Sequence, residues 1–126
     1  MERLGRVGQL SRSVSDIEQA SAWFGPVLGL RHLYTFGKLA FFDMNGTRLL
    51  LSEESGAHAS ESIIYFQVPD IAEAHRTLLG RGVVFRADPH RIHRHEDGTE
   101  EWMAFFDDPD GRPLALMAQV KPAEQA

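Results

Sequence analysis

The sequence contains no cysteine. That absence excludes disulfides, thiolate metal sites and a cysteine nucleophile together. Long apolar runs are missing too, and stretches such as Leu49-Leu50-Leu51 fall far short of a membrane span. The opening residues Met1-Glu2-Arg3-Leu4-Gly5-Arg6 lack the apolar core of a signal peptide. Basic residues are outnumbered, 13 Lys and Arg against 18 Asp and Glu, for a net charge of −5. With no basic stripe to neutralise phosphates, a nucleic-acid partner is not expected. Nor is there a Ser-His-Asp set, a Walker loop or a dinucleotide fingerprint. The expectation is a soluble, cytoplasmic protein with neither membrane nor nucleic acid as partner.

What is present is an ordinary globular balance, 43% hydrophobic and 25% charged over 126 residues. That length suits one domain, and residues 1–126 are expected to form it. A chain of this size can bury roughly two-thirds of its unfolded surface without a staple.

Val7 to Val14 alternates weakly and meets Ser15-Asp16, a helix N-cap signal. Ile17, Ala20, Trp23/Phe24 and Val27/Leu28 follow at helical spacing, and Gly29 is placed to end that helix. Pro26 inside the pattern predicts an irregular last turn. Three strands are expected over Arg31–Phe36, Leu39–Met44 and Thr47–Ser52, with Gly37-Lys38 and Asn45-Gly46 as hairpin turns. Glu53 to Glu61 reads as a linker.

The same order then restarts. A strand over Ser62–Val68 leads into Pro69-Asp70 and a helix striped by Ile71, Ala74/His75 and Leu78/Leu79, ended by Gly80 and Gly82. A strand from Val83 that can run through Ile92 comes next. After it come a Glu96-Asp97-Gly98 hairpin, a strand over Glu100–Asp107, an Asp108-Pro109-Asp110-Gly111 turn and a last strand over Pro113–Val120. Lys121 to Ala126 reads as a frayed tail.

Identical letters mark a duplication. Val14-Ser15-Asp16-Ile17 matches Val68-Pro69-Asp70-Ile71 at an offset of 54 residues. Ala40-Phe41-Phe42-Asp43 matches Ala104-Phe105-Phe106-Asp107 at 64, and Gly46 matches Gly111 at 65. Two repeats, about 5–56 and 60–120, each read strand–helix–strand–strand–strand. A half of about 60 residues has only a marginal core, so the free face of each sheet needs a partner. Two curved sheets set together would enclose a cavity.

A repeated βαβββ unit with these signatures resembles the vicinal oxygen chelate superfamily. That group holds glyoxalase I, extradiol dioxygenases, methylmalonyl-CoA epimerase, and the fosfomycin and bleomycin resistance proteins. The residues that carry the likeness are Val14-x-Asp16, Trp23-Phe24 through Val27-Leu28-Gly29-Leu30, and Ala104-Phe105-Phe106-Asp107-Asp108-Pro109-Asp110-Gly111. The resemblance implies an α+β fold in which two βαβββ modules form a curved mixed sheet around a central cavity. It also implies a homodimer.

In metal-dependent members, four pseudo-symmetric positions supply the ligands, on the first and last strands of each half. By that resemblance they map to Gln9, Leu50, Ile63 and Ala115. Only Gln9 carries a lone pair of any use, so no metal is expected at these positions. The resemblance further implies that Leu39, Phe41, Met103 and Phe105 face the cavity while Phe42, Trp102 and Phe106 pack beneath the helices. With Gln9, Ser11, Ser52 and Tyr65 as polar points, and Leu50, Ile63 and Ala115, the lining suits a small apolar or aromatic molecule. The alternative is that these side chains simply fill a closed core.

His90, His93 and His95, with Glu96, Asp97, Glu100 and Glu101, form the one dense cluster of possible ligands. A three-residue turn pairs His95 with Thr99, His93 with Glu101 and Arg91 with Met103. A two-residue turn pairs His95 with Glu100 instead. The cluster reads as a charge-paired solvated hairpin, as a recognition or catalytic group built on His93 and Glu101, or as a divalent-metal site. Trp23 and Phe24 read as core, His75 as structural or surface, and His32 and His58 as exposed.

Three functions follow. The first is a glyoxalase/bleomycin-resistance-like protein binding a small apolar or aromatic compound, with no cofactor. The second is a metal-dependent lyase, isomerase or dioxygenase drawing ligands from the His90–Glu101 hairpin. The third is a non-catalytic dimerisation module.

Overall fold

The computed structural model describes residues 6–55 and 62–124. The expectations for Met1 to Gly5, His58, the linker over 56–61 and the last two residues lie outside these. The chain divides into two compact units, Met1–Glu61 and Ser62–Ala126.

In the first unit, β1 (Gln9–Val14) leads to α1 (Ile17–Ala22), then β2 (Arg31–Phe36), β3 (Leu39–Met44) and β4 (Thr47–Glu53). Asp16, in extended conformation, caps α1 by accepting from the Gln19 N–H at 3.0 Å. The Glu53 carboxylate takes a second orphan donor, the Ile17 N–H, at 2.9 Å. Glu53, expected to open the linker, is therefore the last residue of β4 and helps seat α1.

The helix expected to run to Leu28 is α-helical only to Ala22, and Trp23–Val27 continues as a π-turn. Pro26 has no N–H to give to the carbonyl four residues back. The turn widens instead, and the Leu28 N–H reaches the Trp23 carbonyl at 2.7 Å.

The sheet order is β1-β4-β3-β2, with β1 parallel to β4 and the other pairs antiparallel. Asn45 (φ 56°) and Gly46 (φ 107°) both take left-handed conformations between β3 and β4, as the tightest hairpin requires. One side of the sheet packs on the helix, burying Ala40, Phe42, Leu49 and Leu51 with Phe24. Each such large side chain contributes about 1.5–3 kcal/mol of burial.

The second unit repeats the plan with β5 (Tyr65–Gln67), α2 (Ile71–Gly80), β6 (His90–Arg94), β7 (Glu100–Asp107) and β8 (Pro113–Val120), in the order β5-β8-β7-β6. Asp70 caps α2 by accepting from the Glu73 N–H at 3.1 Å. Ile71, His75 and Leu78 form the buried stripe over Ala104, Phe106, Leu114 and Leu116. His75, read from sequence as structural or surface, is buried with its ring edge against Phe85 at 4.5 Å.

Three elements differ from expectation. The first strand of this unit is only Tyr65–Gln67, which leaves Ile63 two residues ahead of it. The chain from Val83 makes a single bridge, Phe85 to Phe106, before β6 starts at His90. Pro89 and the polar residues before it account for the gap, since proline cannot donate to a ladder. The tail turns as a short 3₁₀ segment over Pro122–Glu124 rather than fraying at Lys121. No helix among the described residues is long and apolar enough to cross a membrane.

Candidate functional site

Alternation along a strand fixes which side chains turn away from the helix. In the first unit Phe42 lies on the helix side, so Leu39, Phe41 and Asp43 lie on the other. The ladders extend that face sideways, because Phe41 pairs with Leu50, Leu50 with Ser11, and Asp43 with Arg48, which pairs with Gln9. On β2 the expected alternation fails. The register shifts between His32 and Tyr34, so Tyr34 and Phe36 pair with Phe41 and Leu39. Tyr34 consequently stacks on Phe41 with ring centroids 4.5 Å apart.

The helix-free face of the first unit is thus three rows. Phe36, Leu39, Ser52 and Ser13 form one, and Tyr34, Phe41, Leu50 and Ser11 the next. Arg31, Asp43, Arg48 and Gln9 form the third. The charged row is bound to its neighbour at one point, where the Arg48 guanidinium stands 5.3 Å from the Phe41 ring centroid. Arg48 also donates from Nε to Gln9 Oε1 at 2.6 Å.

In the second unit, Phe106 packs towards α2 and Phe105 turns away. Phe105 pairs with Ala115 and Ala115 with Tyr65, and the Tyr65 ring meets Phe105 edge-on at 6.0 Å. Met103 pairs with Met117 on the same side, and Glu101 pairs with Gln119.

The hairpin takes the three-residue turn. The His95 N–H donates to the Thr99 carbonyl at 2.8 Å, and Gly98 (φ 90°) supplies the left-handed residue. His93 pairs with Glu101, but a register shift between Arg91 and His93 places Arg91 opposite Trp102 and gives Met103 to His90. The sequence reading assumed an unbroken ladder and missed that bulge.

The bulge separates the charges. On the helix side, Glu100 accepts from Trp102 Nε1 at 2.9 Å and pairs with Arg91 at 3.4 Å. The Trp102 bond, helped by Arg91, holds its carboxyl below the usual carboxylate range. On the other side, Glu101 Oε2 accepts from His95 Nε2 at 2.8 Å and from Gln119 Nε2 at 2.9 Å, and these bonds likewise hold its carboxyl low. Asp97 is lowered by the backbone N–H and hydroxyl of Thr99.

Several expected residues therefore share faces. Gln9, Ser11, Leu39, Phe41 and Leu50 lie together on one sheet, and Tyr65, Met103, Phe105 and Ala115 on the other. Ile63 precedes its strand and has no ladder partner of its own. Sequence reasoning passed over Arg48, Tyr34 and Gln119. Arg48 and Gln119 were open to simple alternation, two residues before Leu50 and four after Ala115. Tyr34 was hidden by the bulge.

At the four positions to which the resemblance pointed, the side chains offer little to a metal ion. Leu50 is flanked by Ser11 and Phe41, Ala115 by Tyr65 and Phe105, and the Gln9 amide oxygen already accepts from Arg48. A divalent ion needs imidazole or carboxylate lone pairs, and these residues do not fit one. Among the described residues, no three His, Asp or Glu side chains gather so as to hold a metal ion.

Residues 6–116 match the model of the Glyoxalase/Bleomycin resistance protein/Dioxygenase superfamily. The chain belongs to this superfamily. Solved members agree in fold. A glyoxalase/bleomycin resistance protein/dioxygenase from Alicyclobacillus acidocaldarius is 16% identical with TM-score 0.76, covering 100% of both chains. A lactoylglutathione lyase from Agrobacterium tumefaciens is 17% identical with TM-score 0.72, covering 92% of this chain and 95% of its own. A superfamily member from Sphaerobacter thermophilus is 24% identical with TM-score 0.69, covering 91% and 98%. At these identities the glyoxalase-superfamily likeness concerns the fold.

Proposed function

We propose that this glyoxalase-superfamily protein binds a small apolar or aromatic molecule against the helix-free faces of its sheets, without the superfamily metal. The observation that carries this reading is the composition of those faces. Phe41, Leu39, Leu50 and Tyr34 line one, and Phe105, Met103, Met117 and Tyr65 the other, all partly or fully open to solvent. A face built only to be closed in a core would not leave Tyr34 and Tyr65 nearly half exposed, at 48% and 44%.

His93 and Glu101 are the polar groups this reading assigns to the ligand. Both protein bonds to Glu101 use Oε2, which leaves Oε1 without a protein partner among the described residues. Because its carboxyl is held low, Glu101 is suited to accept a hydrogen bond from a ligand N–H or O–H rather than to take its proton. His93 stands opposite it. A homodimer in the cytoplasm completes the reading, on the strength of family membership.

The test is titration with the neutral dye N-phenyl-1-naphthylamine. Saturable binding that is weakened at least tenfold by Phe105→Ala supports the reading, while no binding to the wild type overturns it. One observation favours a second reading, in which the hairpin recruits a metal for lyase, isomerase or dioxygenase chemistry. The His93 and His95 rings lie 4.7 Å apart beside Glu101. Stoichiometric Zn, Ni, Mn or Fe that survives dialysis, and is lost in a His93/His95 double alanine variant, would establish it.

A further inference from the structure

The charged row at the end of the first sheet's free face holds a cation without a counter-ion. Arg48 is exposed and forms no ion pair among the described residues. Its cross-strand neighbour Asp43 accepts instead from the Gly46 N–H in the turn, at 2.9 Å. Arg31, on the far side of Asp43, is likewise without an ion pair, so the row carries a net positive charge.

The arginine is nonetheless held. Its Nε is committed to Gln9 Oε1, and its guanidinium stands over the Phe41 ring. A long side chain so restrained has already lost much of the rotamer freedom that binding would otherwise remove. Its two terminal nitrogens meet no protein acceptor among the described residues. They form the planar fork that carboxylates and sulfonates accept from in pairs.

Resting on the apolar-ligand reading above, we propose that the ligand is an anion with an aromatic or apolar body. Its body lies on Phe41, Leu50 and Tyr34, and its carboxylate, phosphate or sulfonate is gripped by Arg48. Gln9, the one polar residue left at the family's metal positions, serves here to orient a cation made of protein.

The test compares two dyes with the same aromatic body, 8-anilinonaphthalene-1-sulfonate and the neutral N-phenyl-1-naphthylamine. The wild type is expected to bind the sulfonate about tenfold more tightly, with the margin shrinking as salt rises. Arg48→Gln should abolish the margin, with the sulfonate losing about tenfold more affinity than the neutral dye. Arg76→Gln, which removes the same charge from an exposed position on α2, should preserve it. Equal affinity of the wild type for both dyes overturns the anion proposal while leaving the apolar-ligand reading standing. An equal loss of both dyes in Arg48→Gln also overturns it, provided the far-ultraviolet circular dichroism of the variant is unchanged. Failure of the wild type to bind either dye overturns both.

Discussion

Glu101 bonds to His95 at 2.8 Å although His93 is the residue directly across the ladder from it. The turn brings His95 back over the strand, and Gln119 on β8 completes the hold from the other side at 2.9 Å. His93, displaced from that role, keeps its ring nitrogens free of protein partners among the described residues. The hairpin thus divides its work. His95 and Gln119 position the carboxylate, and His93 stands beside it.

A pH dependence follows from the lowered Glu101 carboxyl. The bond from His95, then that from Gln119, makes Glu101 hold its proton less tightly folded than unfolded. Between the two values the unfolded chain binds more protons, so stability falls as pH falls through the folded value. Thermal midpoints of the wild type and Glu101→Gln should differ most above the ordinary glutamate range and converge as pH falls below it through the lowered folded-state value. A constant difference over that range would show that the His95 and Gln119 bonds do not act through the charge.

Asp108 and Arg112 present the opposite case, a pair removed from water. Arg112 donates from Nη2 and Nε to Asp108 Oδ2 at 3.0 and 3.2 Å, and the two side chains are 2% and 0% exposed. The same carboxylate accepts the N–H groups of Asp110 and Arg112, which fixes the turn from β7 to β8. Arg112→Met would leave the Asp108 carboxylate buried without its cation. The expected loss is about 3–5 kcal/mol in urea unfolding. Arg86→Gln, which breaks the exposed pair with Asp107, should lose less than about 1 kcal/mol.

The repeat was legible because physics demands the same residue twice. Asp16 and Asp70 are equivalent letters in the sequence and equivalent N-caps in the fold. The offsets of 54 and 65 residues also carry Ser11 and Leu50 onto Tyr65 and Ala115, which pair across the two parallel ladders. What the letters hid lay at the edges. Bulges in β2 and β6 change which side chains lie on the helix-free faces, and nothing in Arg31–Phe36 or His90–Arg94 marks the extra residue. Arg48 was passed over for a different reason. Its role depends on Gln9 and Phe41, neighbours across two ladders and 39 and 7 positions away in the chain.

Phe41 and Phe42 are adjacent in the chain and have opposite tasks, so they separate folding from binding. Phe42 is fully buried against Phe24 and the edge of His32, on the helix side of β3. Phe41 lies on the other side, half-buried between Tyr34 and Arg48. Phe42→Ala removes a large core side chain and should destabilise by about 3–5 kcal/mol. Phe41→Ala should lose under about 1.5 kcal/mol, since its ring is only partly withdrawn from water. The same Phe41→Ala variant should weaken binding of N-phenyl-1-naphthylamine at least tenfold. If Phe41→Ala unfolds as readily as Phe42→Ala, the face is core, and the ring is there to hold the sheet rather than a ligand.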